Sequence, residues 1–235
     1  MVYRIDREDL GDLRLMEKIY RDMEHYYYWS DDFSEAMYRA LANAGFISVS
    51  LEHGGRQLLL GEIQRSYAIL RFDEMHVSKK VAKLLRRAKF RFAFNTAFDD
   101  VVRGIQASHE ECWMVGEYAA LMQRLNADSS EAFRLFSVEL FDEETGTLVA
   151  GEIGYITANN VYTSLSGFHR PERRYGSWGT LQLVLLGRHL QKSGLRFWNL
   201  GHPYMKYKSD LGAVVVPRRT FLKLWYPRRF GSLAH

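Results

Sequence analysis

Apolar positions recur along this chain in two rhythms. Leu13, Met16, Ile19, Tyr20 and Met23 fall at helical spacing, so the first segment reads as an amphipathic helix. A second helix, capped by Asp32 or Ser34, carries Met37, Tyr38 and Leu41 and stops at Gly45. Three short strands follow at 46–51, 57–63 and 67–72, the first two joined by His53-Gly54-Gly55. A helix over 78–88 has Ser78 as its N-cap. A strand at 90–94 and helices at 98–108 and 115–126 come next. From residue 133 the pattern becomes a β-meander, with strands at 133–141, 148–157 and 161–168. The last two pair through Asn159-Asn160, which sets Glu152 opposite Gly167 and on one sheet face with Leu165. A long apolar helix over 177–191 ends at Ser193-Gly194. A strand at 195–200, a short helix near 207–211 and a strand at 214–224 close the chain.

These elements predict an α+β protein: a small N-terminal α/β lobe over residues 1–75, then a second unit over 76–235. In the second unit, antiparallel strands, a helix and another strand in one sheet make the layout of a GNAT-like acyltransferase domain. That likeness is one of fold and argues no activity.

Composition narrows the class. Of 235 residues 47% are apolar and 26% charged, as in ordinary globular proteins. No apolar run approaches the roughly 20 residues that span a bilayer, and the charged N-terminus is unlike a secretory signal; no membrane association is expected. Cys112 is the only cysteine. That excludes an internal disulfide and cysteine-based zinc sites and suits a reducing cytoplasm. The histidines are scattered without ligand spacing, so neither a metal nor another cofactor is expected.

The net charge of +4 says little, but its distribution says more. Residues 76–91 hold seven basic residues, including Lys79, Lys80, Lys83, Arg86 and Arg87, and no acid. Arg218, Arg219, Lys223, Arg228 and Arg229 form a second cluster, and acids concentrate at 6–24 and 139–144. Such polarity suits a polyanionic partner.

Several segments carry a family pattern. Met75-His76-Val77-Ser78-Lys79-Lys80 with Leu84-Leu85-Arg86-Arg87, Phe98-Asp99-Asp100-Val101-Val102-Arg103, Cys112-Trp113-Met114, Ser137-Val138-Glu139-Leu140-Phe141 and Leu148-Val149-Ala150-Gly151 keep the pattern's order and spacing, which with a weaker match from residue 32 through Tyr38-Arg39 to Gly45-Phe46 holds over about 200 residues. The most specific segment is Leu211-Gly212-Ala213 followed by Val216-Pro217-Arg218-Arg219 and Phe221-Leu222. In these segments the chain resembles the leucyl/phenylalanyl-tRNA–protein transferases. The resemblance implies an aminoacyltransferase that moves Leu, Phe or a similar amino acid from charged tRNA to the N-terminus of a protein. The acceptor would be a protein or peptide with a basic N-terminal residue, and the product would be marked for degradation by the N-degron route. It also implies that Lys79, Lys80, Lys83, Arg86, Arg87, Arg218 and Arg219 hold the tRNA backbone.

The departures from the family pattern are specific. Tandem tryptophans expected near Gly61-Glu62 are absent. Leu165 stands where the family has a glutamate, Asn199 where it has an aspartate, and Gly201 where it has a glutamine.

The implied chemistry is aminolysis of an ester, which needs two oriented substrates, loss of a proton from the amine and stabilisation of an oxyanion. Asn199 can accept a hydrogen bond from the amine but cannot act as a base. His202, three residues on, can. Glu152, a carboxylate inside an apolar strand, is the other catalytic candidate, and it could grip a cationic N-terminal residue. Ile153, Tyr155, Leu165, Ser166, Phe168, Leu183 and Trp198 are candidates for the apolar slot that takes the transferred side chain. Two alternatives stand beside this one. The first is a catalytically degenerate relative that binds tRNA or N-terminal peptides. The second is a CoA-dependent N-acetyltransferase, whose phosphate loop would be Arg173-Arg174-Tyr175-Gly176-Ser177 ending at the bulky Trp178.

Overall fold

The computed structural model describes residues 2–128 and 132–226; Arg228 and Arg229 of the second basic cluster lie outside them. The N-terminal part holds β1 (Tyr3–Arg4), α1 (Arg7–Gly11), α2 (Leu13–Arg21), β2 (Tyr27–Ser30), α3 (Glu35–Asn43), β3 (Ile47–His53) and β4 (Arg56–Glu62). The Asp12 carboxylate accepts the first free N–H groups of α2, from Arg14 and Leu15, and Ser34 does the same for α3 through Met37. The apolar stripe of α2 buries Met16, Ile19 and Tyr20 as its spacing predicts. The four strands form a sheet in the order β1-β2-β4-β3. The aromatic run of β2, which the hydrophobic pattern did not reveal, pairs antiparallel with β4.

The rest of the chain supplies β5 (Ser66–Leu70), α4 (Lys79–Arg87), β6 (Phe90–Phe94), α5 (Phe98–Ser108), α6 (Gly116–Ala127), β7 (Phe133–Asp142), β8 (Thr147–Thr157), β9 (Tyr162–His169), α7 (Trp178–Lys192), β10 (Trp198–Asn199), α8 (Lys206–Asp210), β11 (Val214–Pro217) and α9 (Arg218–Trp225). A seven-stranded sheet runs β11-β5-β10-β9-β8-β7-β6. Its pairs are antiparallel except β9 with β10, which α7 connects as a crossover helix. The sheet has two packed faces. Ile153 and Tyr155 join α2, α3, α5 and α6 on one; Val138, Leu140 and Tyr162 join α4 and α7 on the other.

Three expectations change. β5 precedes residue 75 yet hydrogen-bonds within the large sheet, so the two sheets divide the chain near residues 64–65. The strand expected over 195–200 forms ladder pairs only at Trp198–Asn199. The strand expected over 214–224 ends at Pro217 and becomes α9, because Phe221, Leu222 and Trp225 share one face of a helical turn. Phe221 then stacks flat on Tyr67, with ring centroids 3.7 Å apart.

Candidate active site

The two parallel strands meet only at Trp198↔Tyr162 and Asn199↔Thr163. Beyond that point β9 runs on beside β8 to His169. The chain after Asn199 instead stays with β5, where Ala68 N–H donates to the Gly201 carbonyl and its own carbonyl accepts from Leu200 N–H. The strands therefore part, and a wedge opens in the middle of the sheet.

Glu152 lies on the α7 side of this wedge and is only 4% exposed. Its Oε1 accepts from the Tyr162 hydroxyl at 2.7 Å and from Ser164 Oγ at 2.9 Å; its Oε2 has a long contact of 3.5 Å with Gln182 Nε2. Trp198 Nε1 donates to the same Ser164 oxygen at 2.8 Å. Burial pushes the Glu152 pKa upward against these neutral donors. The register does set Glu152 opposite Gly167, but Leu165 is not on its face. The turn ends in a left-handed Asn160 (φ 57°), and Tyr162 pairs with Ile156. A bulge between Ile153 and Gly154 then restores the 152–167 pairing. Ser164 takes the place beside Glu152, and Leu165 packs with the cluster of Ile153 on the opposite face.

Asn199 is buried at the point of divergence. Its Oδ1 accepts from Gly201 N–H at 3.0 Å and its Nδ2 donates to Thr163 Oγ1 at 3.3 Å, so the amide braces the turn that leads to His202. Gly201 holds a φ of 71°, where a side chain would be strained. His202 Nε2 lies 2.8 Å from Glu62 Oε2. A carboxylate only accepts, so Nε2 carries the hydrogen and Nδ1 of the neutral ring keeps a lone pair. Tyr204 stacks on the other side of the imidazole at 5.5 Å. Burial, then Glu62, pushes the neighbouring Tyr27 hydroxyl up to about 12. Lys208 is buried beneath this loop and donates to the carbonyls of Leu200 at 2.5 Å and His202 at 2.7 Å.

Glu62, Gln182 and Lys208 were not singled out in the sequence, whereas Tyr162 and Ser164 belong to its hydroxyl-rich 162–168 run. The only signal for Glu62 was its position, where aromatic residues were expected. Lys208 sits in a polar run that looks like surface.

The candidate slot residues divide between the two faces. Ile153, Tyr155, Leu165 and Phe168 belong to the cluster with α5 and α6, where the Phe168 ring crosses Gly104. Leu183 and Trp198 belong to the α7 side, and Ser166 is half-buried on β9 opposite Ile153. The basic residues divide too. Lys79, Lys80, Lys83, Arg86 and Arg87 are exposed on α4, and among the described residues none has a carboxylate within ion-pair distance. Arg219 is also exposed. Arg218, expected on the tRNA face, is instead 1% exposed. Its guanidinium is taken up by four backbone carbonyls, those of Ile19, Asp22, Ile63 and Gln64, so it ties the two sheets together. Among the described residues no cluster of three metal-ligating side chains is present, and no helix is long and apolar enough to cross a membrane.

A family model described as leucyl/phenylalanyl-tRNA protein transferase matches residues 69–226. The leucyl/phenylalanyl-tRNA–protein transferase of Pseudomonas fluorescens (strain Pf0-1) is 30% identical over 152 residues, covering 63% of this chain and 62% of the relative. That of Chromohalobacter salexigens is 30% identical over 153 residues, covering 64% and 55%. That of Yersinia enterocolitica is 26% identical over 174 residues, covering 71% and 66%. The chain thus spans less than two thirds of the length of these curated relatives. Among solved structures, FemX superposes with a TM-score of 0.50 at 10% identity, covering 91% of this chain and 76% of that one. This likeness concerns the fold alone, which is of the GNAT-like α+β kind.

Proposed function

The chain belongs to the leucyl/phenylalanyl-tRNA protein transferase family, and on that premise we propose that it moves Leu, Phe or an amino acid of similar size from charged tRNA onto the α-amine of a protein or peptide with a basic N-terminal residue. The product is a protein marked for degradation by the N-degron route, and the setting is the cytoplasm. The observation that carries this reading is the wedge between β9 and β10, with a carboxylate-held histidine on the loop that leaves it and a buried carboxylate on its α7 side.

In this proposal His202 Nδ1 takes the proton of the attacking amine while Glu62 fixes the ring. Asn199 holds the turn that carries His202. Glu152, whose Oε2 has only the long Gln182 contact, accepts from the incoming acceptor. Two carboxylates, Glu62 and Glu152, favour a cationic N-terminal residue. The transferred side chain lies on the α7 side against Trp198 and Leu183. The phosphate backbone of the tRNA runs along Lys79, Lys80, Lys83, Arg86 and Arg87, whose freedom from ion pairs supports the assignment, and Arg219 extends that surface.

The test is incubation with radiolabelled leucyl- or phenylalanyl-tRNA and peptides that begin with Arg or Lys. Label passing to the peptide is the expected result. Clear tRNA binding with no transfer from any charged tRNA would leave a binding protein on a transferase fold.

A further inference from the structure

The wedge contains a buried cation that the reading above does not use. Lys208 is 6% exposed and points its ammonium at the loop of Asn199 and His202. An ammonium has three N–H donors. Two go to the carbonyls of Leu200 and His202, and the Tyr207 ring centroid lies 5.8 Å from the nitrogen; among the described residues the third N–H has no oxygen or nitrogen acceptor. Among the described residues no carboxylate lies within 4 Å of it, although Glu152 is near enough to act on it electrostatically. A buried charge without an ion-pair partner is costly, and a cost kept beside a reaction centre calls for a chemical use.

We propose that Lys208 is a catalytic residue of this transferase, its free N–H stabilising the oxyanion of the tetrahedral intermediate. The proposal rests on the aminoacyl-transfer reading. The amine nitrogen attacks the ester carbon, a C–N bond forms, and the carbonyl π pair moves onto oxygen, where the Lys208 N–H receives it. His202 accepts the amine proton. The oxyanion pair then returns, the C–O bond to the ribose breaks, and the 3′ oxygen leaves with its electron pair and takes up the proton that His202 had accepted. A fixed donor of this kind acts most strongly where water is excluded, as it is beneath this loop.

Burial pushes the Lys208 pKa down to about 8, with Glu152 opposing that shift. The titratable groups facing it are Glu152 on β8, which Tyr162 hydrogen-bonds, Tyr207 on its own helix and His202 on the loop, with Glu62 behind the histidine. Since the protonated form is the active one, kcat should fall as pH rises through about 8.

The experiment measures kcat and KM for charged tRNA from pH 6 to 9.5 in wild type, Lys208→Met and Lys208→Arg. Lys208→Met should lose about 10²-fold or more in kcat with donor KM within a few-fold, and should lose the alkaline limb. Lys208→Arg should keep more activity and move that limb upward, because a guanidinium stays charged. The wild-type profile stands even where a variant folds poorly. A wild type that transfers with no alkaline limb, or a folded Lys208→Met within threefold of it, overturns the role of Lys208 and leaves the transferase reading intact. A wild type that binds tRNA and transfers nothing overturns both.

Discussion

The Tyr162 hydroxyl reaches the Glu152 carboxylate at 2.7 Å across the face of Gly154, where an added Cβ would lie 2.2 Å from the phenol oxygen. Gly154 is therefore the opening through which the ring passes. Gly154→Ala should displace Tyr162, cost about 1–3 kcal/mol as overpacking does, and free Glu152 of its shortest hydrogen bond. Tyr162→Phe should keep the packing and lose only the bond. Urea unfolding of the two variants checks the order, and equal losses would mean that the ring has no need of the gap.

Glu152 makes stability depend on pH in an unusual sense for a carboxylate. Burial raises its folded pKa above the ordinary 4.5. Between those two values the folded state holds a proton that the unfolded state has released, so its contribution is full below 4.5 and declines as pH climbs to the folded value. Glu152→Gln cannot titrate. Relative to that variant, wild-type stability should fall as pH rises from 4.5, and a constant difference across the range would count against burial outweighing the three neutral donors at this carboxylate.

Arg218 and Arg219, adjacent in sequence, should behave as opposites. Arg218→Met strands four backbone carbonyls and should cost about 3 kcal/mol of stability, read as a lower urea midpoint. Its effect on the salt dependence of tRNA binding should be nil. Arg219→Ala should leave the midpoint unchanged and weaken tRNA binding at low salt. A reversal of the two patterns would return Arg218 to the tRNA face.

Lys83→Ala with Arg87→Ala should leave α4 folded, since the helix is anchored through the buried Val81 and its Ser78 cap. The slope of log affinity against log salt should become shallower by about two if each residue neutralises one phosphate. An unchanged slope and affinity would move the tRNA to another surface.

His202→Ala should lower kcat by about 10², the scale of a positioned base. Glu62→Gln should cost less, because an amide oxygen still accepts the Nε2 hydrogen and keeps the ring oriented. Transfer kinetics at saturating tRNA decide, and a Glu62→Gln loss as deep as that of His202→Ala would give Glu62 a part beyond holding the ring.

Much of the secondary structure was legible because its signals are local. The stripe of α2 and the cap of α4 can each be read within one turn. What failed was ambiguous locally or set at a distance. The apolar run around Val214–Val216 and Phe221–Leu224 fits strand or helix, and the stacking of Phe221 on Tyr67 favours the helix. Arg218 counted as one more surface charge because a charge pattern does not show burial. The candidate site was legible in part. Glu152 stood out as an acid among apolar neighbours, and His202 as a titratable group beside Asn199. Glu62 lies 140 residues from His202, and no short-range pattern joins them.

The placement of β5 governs when this protein can be finished. The strand is made early, yet both its neighbours, β10 at Trp198–Asn199 and β11 at Val214–Pro217, come far later in the chain. A growing chain therefore leaves the ribosome with β5 open on both edges until the C-terminal segment emerges and closes around it. The wedge is built by that same closing segment, so a chain cut short before residue 195 would have neither a completed sheet nor the wedge, and no synthesis intermediate can hold the candidate site before residues 198–217 have emerged.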